Sequence, residues 1–134
     1  PAYLVDMTRK AGLDLVSDAP SLDEHYQWAD AVIVPLRSGG GTRIKILEAA
    51  AWQLPVVSST IGAEGLELRH DQDLIIANTR EEFSEAFSRL AGDESLATEI
   101  ARAGRKKIEE IYAQTAISSR ILAIHEAAAS ERAK

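Results

Sequence analysis

Two apolar runs, AVIVPL at residues 31–36 and PVVSS at 55–59, flank a segment with helical patterning, and this spacing constrains the fold more than any other feature. Short, continuously apolar runs are what strands covered on both faces look like. The segment between them holds a loop and one helix, Thr42 to Trp52. A strand–helix–strand crossover of this kind makes the two strands parallel. DLIIA at 73–77 reads as a further strand, and Leu13 to Val16, closed by Pro20, as an earlier one. Residues 2–11 carry apolar positions at Leu4, Val5 and Met7 and read as a helix capped by Gly12. Ser21 with Glu24, and Thr79 with Glu82, are capping-box spacings that open the helices SLDEHYQWAD and REEFSEAFSRLAG. Phe83, Ala86, Phe87 and Leu90 share one face of the second helix. Glu94 to Ala113 reads as one helix, or two with Gly104 as a weak break, and a last helix carries Ile117, Ile121 and Ile124 in a stripe. Tyr26 and Trp28 are expected in the core. The order β-α-β-α-β-β-α predicts an α/β fold, a Rossmann-like layered α/β/α domain with a mainly parallel sheet.

Composition closes off several classes. The chain has 134 residues, 46% of them hydrophobic, enough for one domain with a core. A net charge of −6 argues against a nucleic-acid partner. The absence of cysteine excludes disulfides and thiolate metal sites. His25, His70 and His125 are scattered without ligand spacing, so they read as surface or cap residues and no metal site is expected. No apolar run approaches the roughly 20 residues of a membrane span, and no signal peptide is visible. A cytoplasmic location is therefore expected. Pro1 opens on residues that already read like the inside of an element, so the chain is expected to be part of a longer protein.

The loop after AVIVPL carries the chemistry. Gly39, Gly40 and Gly41 run through Thr42 into Arg43 and Lys45. A glycine loop between a strand end and a helix start brings unpaired first-turn N–H groups close to an anion, with the helix dipole behind them. Two cations beside those amides suit a diphosphate; a flexible turn with two solvated side chains is the plainer alternative. The spacing is neither that of a P-loop nor G-x-G-x-x-G. Glu48 lies three residues after Lys45 and seven after Gly41, which puts all three on one helix face. A carboxylate amid ILEAAAW is costly to bury unless paired. It can accept two hydrogen bonds from a vicinal diol such as a ribose, or it can simply pair with Lys45.

The motifs P-L-x-x-G-G-G-T-R-x-K-x-L-E-A and P-V-V-S-S-x-x-G-A-E-G-L together resemble the nucleotide-sugar half of the group 1 (family 4) glycosyltransferases of GT-B architecture. The resemblance runs from GLDLVSD to RAGRKKIEEIYA. It implies a donor domain, residues 1–134, that lacks the first strands of the family sheet. It implies retaining transfer of a sugar from a nucleotide-diphosphate sugar, a UDP-sugar among the candidates, in polysaccharide biosynthesis. No cofactor or metal is implied. Glu48 matches the second glutamate of the family's E-x7-E motif, the ribose ligand. Gly40 stands where the first, sugar-contacting glutamate would be, so the loop backbone is expected to serve there. Gly39, Gly40, Gly41 and Thr42 become donor-binding residues, and Arg43 and Lys45 candidate catalytic contacts to the diphosphate or sugar. Gln53 replaces a glycine and calls for a left-handed backbone. The nucleobase is placed near Ser17, Asp18 and Ala19. Glu64, between Gly62 and Gly65, reads as a solvated turn residue that could instead face the donor.

The implied partners are the nucleotide sugar and an N-terminal acceptor domain absent from these residues. That domain would carry any peripheral membrane contact, and the chain alone is expected to be inactive. An unprotected sheet edge leaves room for a homo-oligomer or a displaced first strand. The isoleucine stripe is expected to be exposed for a similar reason. Two other readings stay open: a sugar-nucleotide epimerase of the same architecture, and a non-catalytic α/β binding module.

Overall fold

The computed structural model describes residues 2–132, with side chains described at residue 3 and residues 5–125. The elements are α1 (Ala2–Lys10), α2 (Asp23–Trp28), β1 (Val32–Val34), α3 (Ile44–Ala51), β2 (Val56–Ser58), β3 (Ile75–Ile76), α4 (Arg80–Gly92), α5 (Glu94–Tyr112) and α6 (Gln114–Arg132). The three strands form one parallel sheet in the order β1-β2-β3. Val32 faces Val56, Val34 faces Ser58, and Val57 faces Ile75. The fold is the expected α/β class.

Alternation along the strands divides the core in two. Val57, Ile75 and Ala77 pack with Ala86 and Leu90 of α4 and Ile100 of α5. Val34, Val56 and Leu74 pack with Ile46 and Ala49 of α3. Each fully buried aliphatic side chain contributes about 1.5–3 kcal/mol. α5 is a single helix packed against α3 and α4. Gly104 is a contact point in it and not a break: a Cβ there would stand 2.5 Å from the Asp73 carbonyl oxygen. The Thr79 capping box forms as expected, with Glu82 N–H donating to Thr79 Oγ1 at 3.1 Å and Thr79 N–H to Glu82 Oε2 at 3.3 Å.

Several expectations are corrected. Leu13–Val16 is not a strand: no ladder partner lies alongside it among the described residues, and Leu13, Leu15 and Val16 are exposed. AVIVPL is only partly covered on its second face, where Ala31 packs against the core and Ile33 does not. Ile33 shares a face with Val57, but α4 covers β2 and leaves Ile33 47% exposed. Ser21 and Glu24 do not form a capping box; Ser21 Oγ accepts from Asp23 N–H at 3.0 Å, and the helix opens at Asp23 without a side-chain cap. Trp28 is not in the core but 74% exposed, and Tyr26 is half-buried. The helix drawn from Thr42 begins at Ile44. Val5 and Met7 of α1 are exposed, and the Leu4 side chain lies outside the described residues. Gln53 does adopt the left-handed backbone, at φ +56, and Ile117, Ile121 and Ile124 are exposed.

Candidate functional site

Three loops leave the carboxyl ends of the strands, where open parallel sheets place their ligands. They are joined by side chains. Ser59 N–H donates to the Val34 carbonyl at 3.1 Å, and Ser59 Oγ donates to the Leu36 carbonyl while accepting from Gly62 N–H at 2.9 Å. Thr60 N–H donates to Asn78 Oδ1 at 2.9 Å, which ties the second loop to the third. Gly62 is buried at this junction. A Cβ there would meet Ser58 Oγ at 2.4 Å and the Val34 carbonyl oxygen at 2.7 Å, so the second loop lies directly on the end of β1.

The glycine loop forms the rim. Gly39 and Gly41 have φ of +147 and +86, conformations that other residues adopt at a cost. All three glycines and Thr42 are exposed. The first turn of α3 leaves the N–H groups of Ile44 and Lys45 without an intrahelical acceptor, and no side chain caps it. Lys45 and Glu48 are both exposed on the helix, on the side away from buried Ile46, Ala49 and Ala50. The expected burial of Glu48 is thus corrected: its apolar sequence neighbours face the sheet and it does not.

Glu48 does not bond to Lys45. Its Oε2 accepts from the Tyr26 hydroxyl at 3.2 Å. Burial, then the Glu48 charge and that hydrogen bond, push the Tyr26 phenol up to about 12. The Tyr26 ring stacks on Trp52, 6.1 Å between centroids at 26°. The carboxylate is therefore held through Oε2, and Oε1 has no partner among the described residues.

Arg43 behaves differently from Lys45. Its side chain turns inward and is only 6% exposed. One terminal nitrogen, Nη2, donates to the Gly39 carbonyl and to Glu64 Oε2, each at 3.3 Å, while Nε is buried without a partner among the described residues. Glu64, the supposed solvated turn residue, is 72% exposed yet ion-paired. Ser17, Asp18 and Ala19 lie in an irregular segment before α2, with Asp18 in the left-handed region at φ +56. His70 is half-exposed and accepts the N–H of Ile76 in β3 on Nδ1 at 2.9 Å, and no group of three or more His, Cys, Asp or Glu that could hold a metal ion occurs among the described residues. No described helix is long and apolar enough to cross a membrane.

Sequence reasoning missed Asn78, Ser59 and Tyr26 as site residues. The S-S-x-x-G-A-E-G-L motif held the signal for Ser59. Nothing in the sequence marked Asn78, and the partnership of Tyr26 with Glu48 crosses 22 positions.

The description "Glycosyl transferases group 1" matches residues 5–93. The chain belongs to the glycosyl transferases group 1 family. The chain is 33% identical over 87 residues to an exopolysaccharide phosphotransferase of Streptomyces coelicolor, covering 63% of this chain and 9% of that protein. Among solved structures, the C-terminal domain of a group 1 glycosyl transferase, LpcC, from Francisella tularensis superposes with a TM-score of 0.68 at 21% identity, covering 83% of this chain and 61% of that one. A sucrose-phosphate synthase from Thermosynechococcus elongatus superposes with a TM-score of 0.77 at 15% identity, covering 97% of this chain and 34% of that one. At these identities the structural likeness shows the fold. This group 1 chain therefore spans less than two thirds of each of these relatives.

Proposed function

We propose that this domain binds a nucleotide-diphosphate sugar at the carboxyl ends of β1 and β2 and supports transfer of its sugar to an acceptor. The observation that carries this reading is the start of α3: free first-turn amides behind an exposed triple-glycine loop, with Lys45 and Glu48 on the solvent side of the same helix. The amides of Ile44 and Lys45 and the Lys45 ammonium would hold the diphosphate. As the glycosidic bond breaks, negative charge grows on the leaving diphosphate, and fixed donors stabilise it without reorganisation. Arg43 supports the loop from beneath through the Gly39 carbonyl, its charge offset by Glu64. Glu48, open on one oxygen, accepts from the ribose diol. No cofactor enters this scheme. Transfer proceeds with retention, and the acceptor and any general base come from residues outside this chain.

Calorimetric titration with UDP, GDP and ADP and their glucose or mannose conjugates tests the reading. One nucleotide series should bind, and Glu48→Ala should weaken it by about tenfold, the loss of a hydrogen bond to a charged group. Absence of binding by every series, or unchanged affinity in Glu48→Ala, overturns it. The likeness to an exopolysaccharide phosphotransferase favours a second reading, transfer of a sugar phosphate from the same anion site. Release of nucleoside monophosphate in place of diphosphate identifies that case.

A further inference from the structure

Glu64 is out of place in a site built for phosphate. It follows Gly62 by two residues, and Gly62 is locked onto the end of β1 by contacts that leave no room for a Cβ. Its carboxylate is brought to the glycine loop by Arg43, whose Nη2 bridges Glu64 Oε2 and the Gly39 carbonyl at 3.3 Å each. Arg43 is nearly fully buried, while Glu64 is mostly exposed. A buried guanidinium with one nitrogen left unpaired is a costly device for a surface ion pair, which by itself stabilises little. What the device does achieve is a fixed carboxylate at the loop rim, with Oε1 free of any partner among the described residues.

That carboxylate cancels the Arg43 charge locally and repels a phosphate. It is suited to hydroxyl groups, which donate to it. Resting on the proposed function, we infer that Glu64 is a specificity-determining residue: it accepts a hydrogen bond from a hydroxyl of the donor's sugar, and Arg43 positions it. The diphosphate then lies on the Lys45 side of the glycine loop and the sugar on the Glu64 side. The site thereby selects a hydroxyl-bearing sugar conjugate over the free nucleoside diphosphate.

The test compares Glu64→Gln with the parent chain, each titrated with UDP and UDP-glucose, GDP and GDP-mannose, and ADP and ADP-glucose. Glutamine keeps the shape and can still accept from Arg43. In the series that binds, the substitution should weaken the sugar conjugate by about tenfold and leave the free diphosphate within about twofold. Equal losses on both would mean that Glu64 acts only by shaping the loop, and would overturn the inference. A gain in diphosphate affinity with the conjugate unchanged would make Glu64 a mere competitor for Arg43 and would also overturn it. Failure of every series to bind the parent chain removes the donor reading itself, whereas binding of both ligands with no response to Glu64→Gln removes this inference alone.

Discussion

Replacing Gly62 by alanine should damage both the fold and the candidate site. The new methyl would stand 2.4 Å from Ser58 Oγ, 2.7 Å from the Val34 carbonyl oxygen and 3.1 Å from Ser59 Oγ. Ordinary contacts begin near 3.4 Å. Ser58 is fully buried in the sheet, and the Val34 carbonyl already accepts the Ser59 N–H, so neither can retreat easily. The loop must lift instead, and it would break the Gly62 N–H to Ser59 Oγ bond as it does. Overpacking of a tight site costs about 1–3 kcal/mol, and losing a buried hydrogen bond adds about 1 kcal/mol; about 3 kcal/mol is a fair total. With an unfolding entropy of about 2.1 cal/mol/K per residue, 134 residues give about 0.28 kcal/mol/K, so Tm should fall by about 10 °C. Gly65 in the same loop provides the control. Its φ is +82 but its Cβ would meet nothing within 4 Å, so alanine there costs only the left-handed backbone, about 1 kcal/mol or about 4 °C. Thermal unfolding followed by circular dichroism reads both. Equal shifts in the two variants, or a Gly62→Ala shift of under about 2 °C, would refute the argument from close approach.

Two further outcomes follow from single residues. Gln53→Gly relieves a non-glycine residue at φ +56 and should raise stability by up to about 1 kcal/mol in denaturant titration; a decrease would show that the side chain holds something the backbone strain conceals. The Tyr26 phenol titrates higher in the folded chain than in the unfolded one, so the stability it contributes is complete below about pH 10 and is lost as pH rises towards 12. An ultraviolet tyrosinate titration should therefore show a late step that disappears in Tyr26→Phe and moves to lower pH in Glu48→Ala; a late step indifferent to Glu48 would break the link between them.

What the sequence made legible was local. The Thr79–Glu82 cap, the left-handed Gln53 and the glycine loop each depend on a few neighbouring residues, and each is found. What it concealed was set by distant partners. Leu13–Val16 has the composition of a strand, but a strand exists only as one side of a ladder, and no described neighbour supplies the other. Ile33 looked as buried as Val34 because an apolar run does not say how far a helix reaches across the sheet. Arg43 looked like Lys45 until its side chain was found turned towards Glu64, 21 residues on. Glu48 could have been placed correctly: with Ile46, Ala49 and Ala50 turned to the core, the helical period carries position 48 outward. Counting apolar neighbours was the wrong measure there.

The link through Asn78 ties the second loop to the cap of α4. Its side chain receives the Thr60 amide, and its own N–H donates to the Glu82 carboxylate that also closes the first turn of α4. Fraying of that turn on warming would slacken the second loop, and with it the first, while the sheet beneath stayed intact. Grip on a ligand would then fade at temperatures where the protein as a whole is still folded.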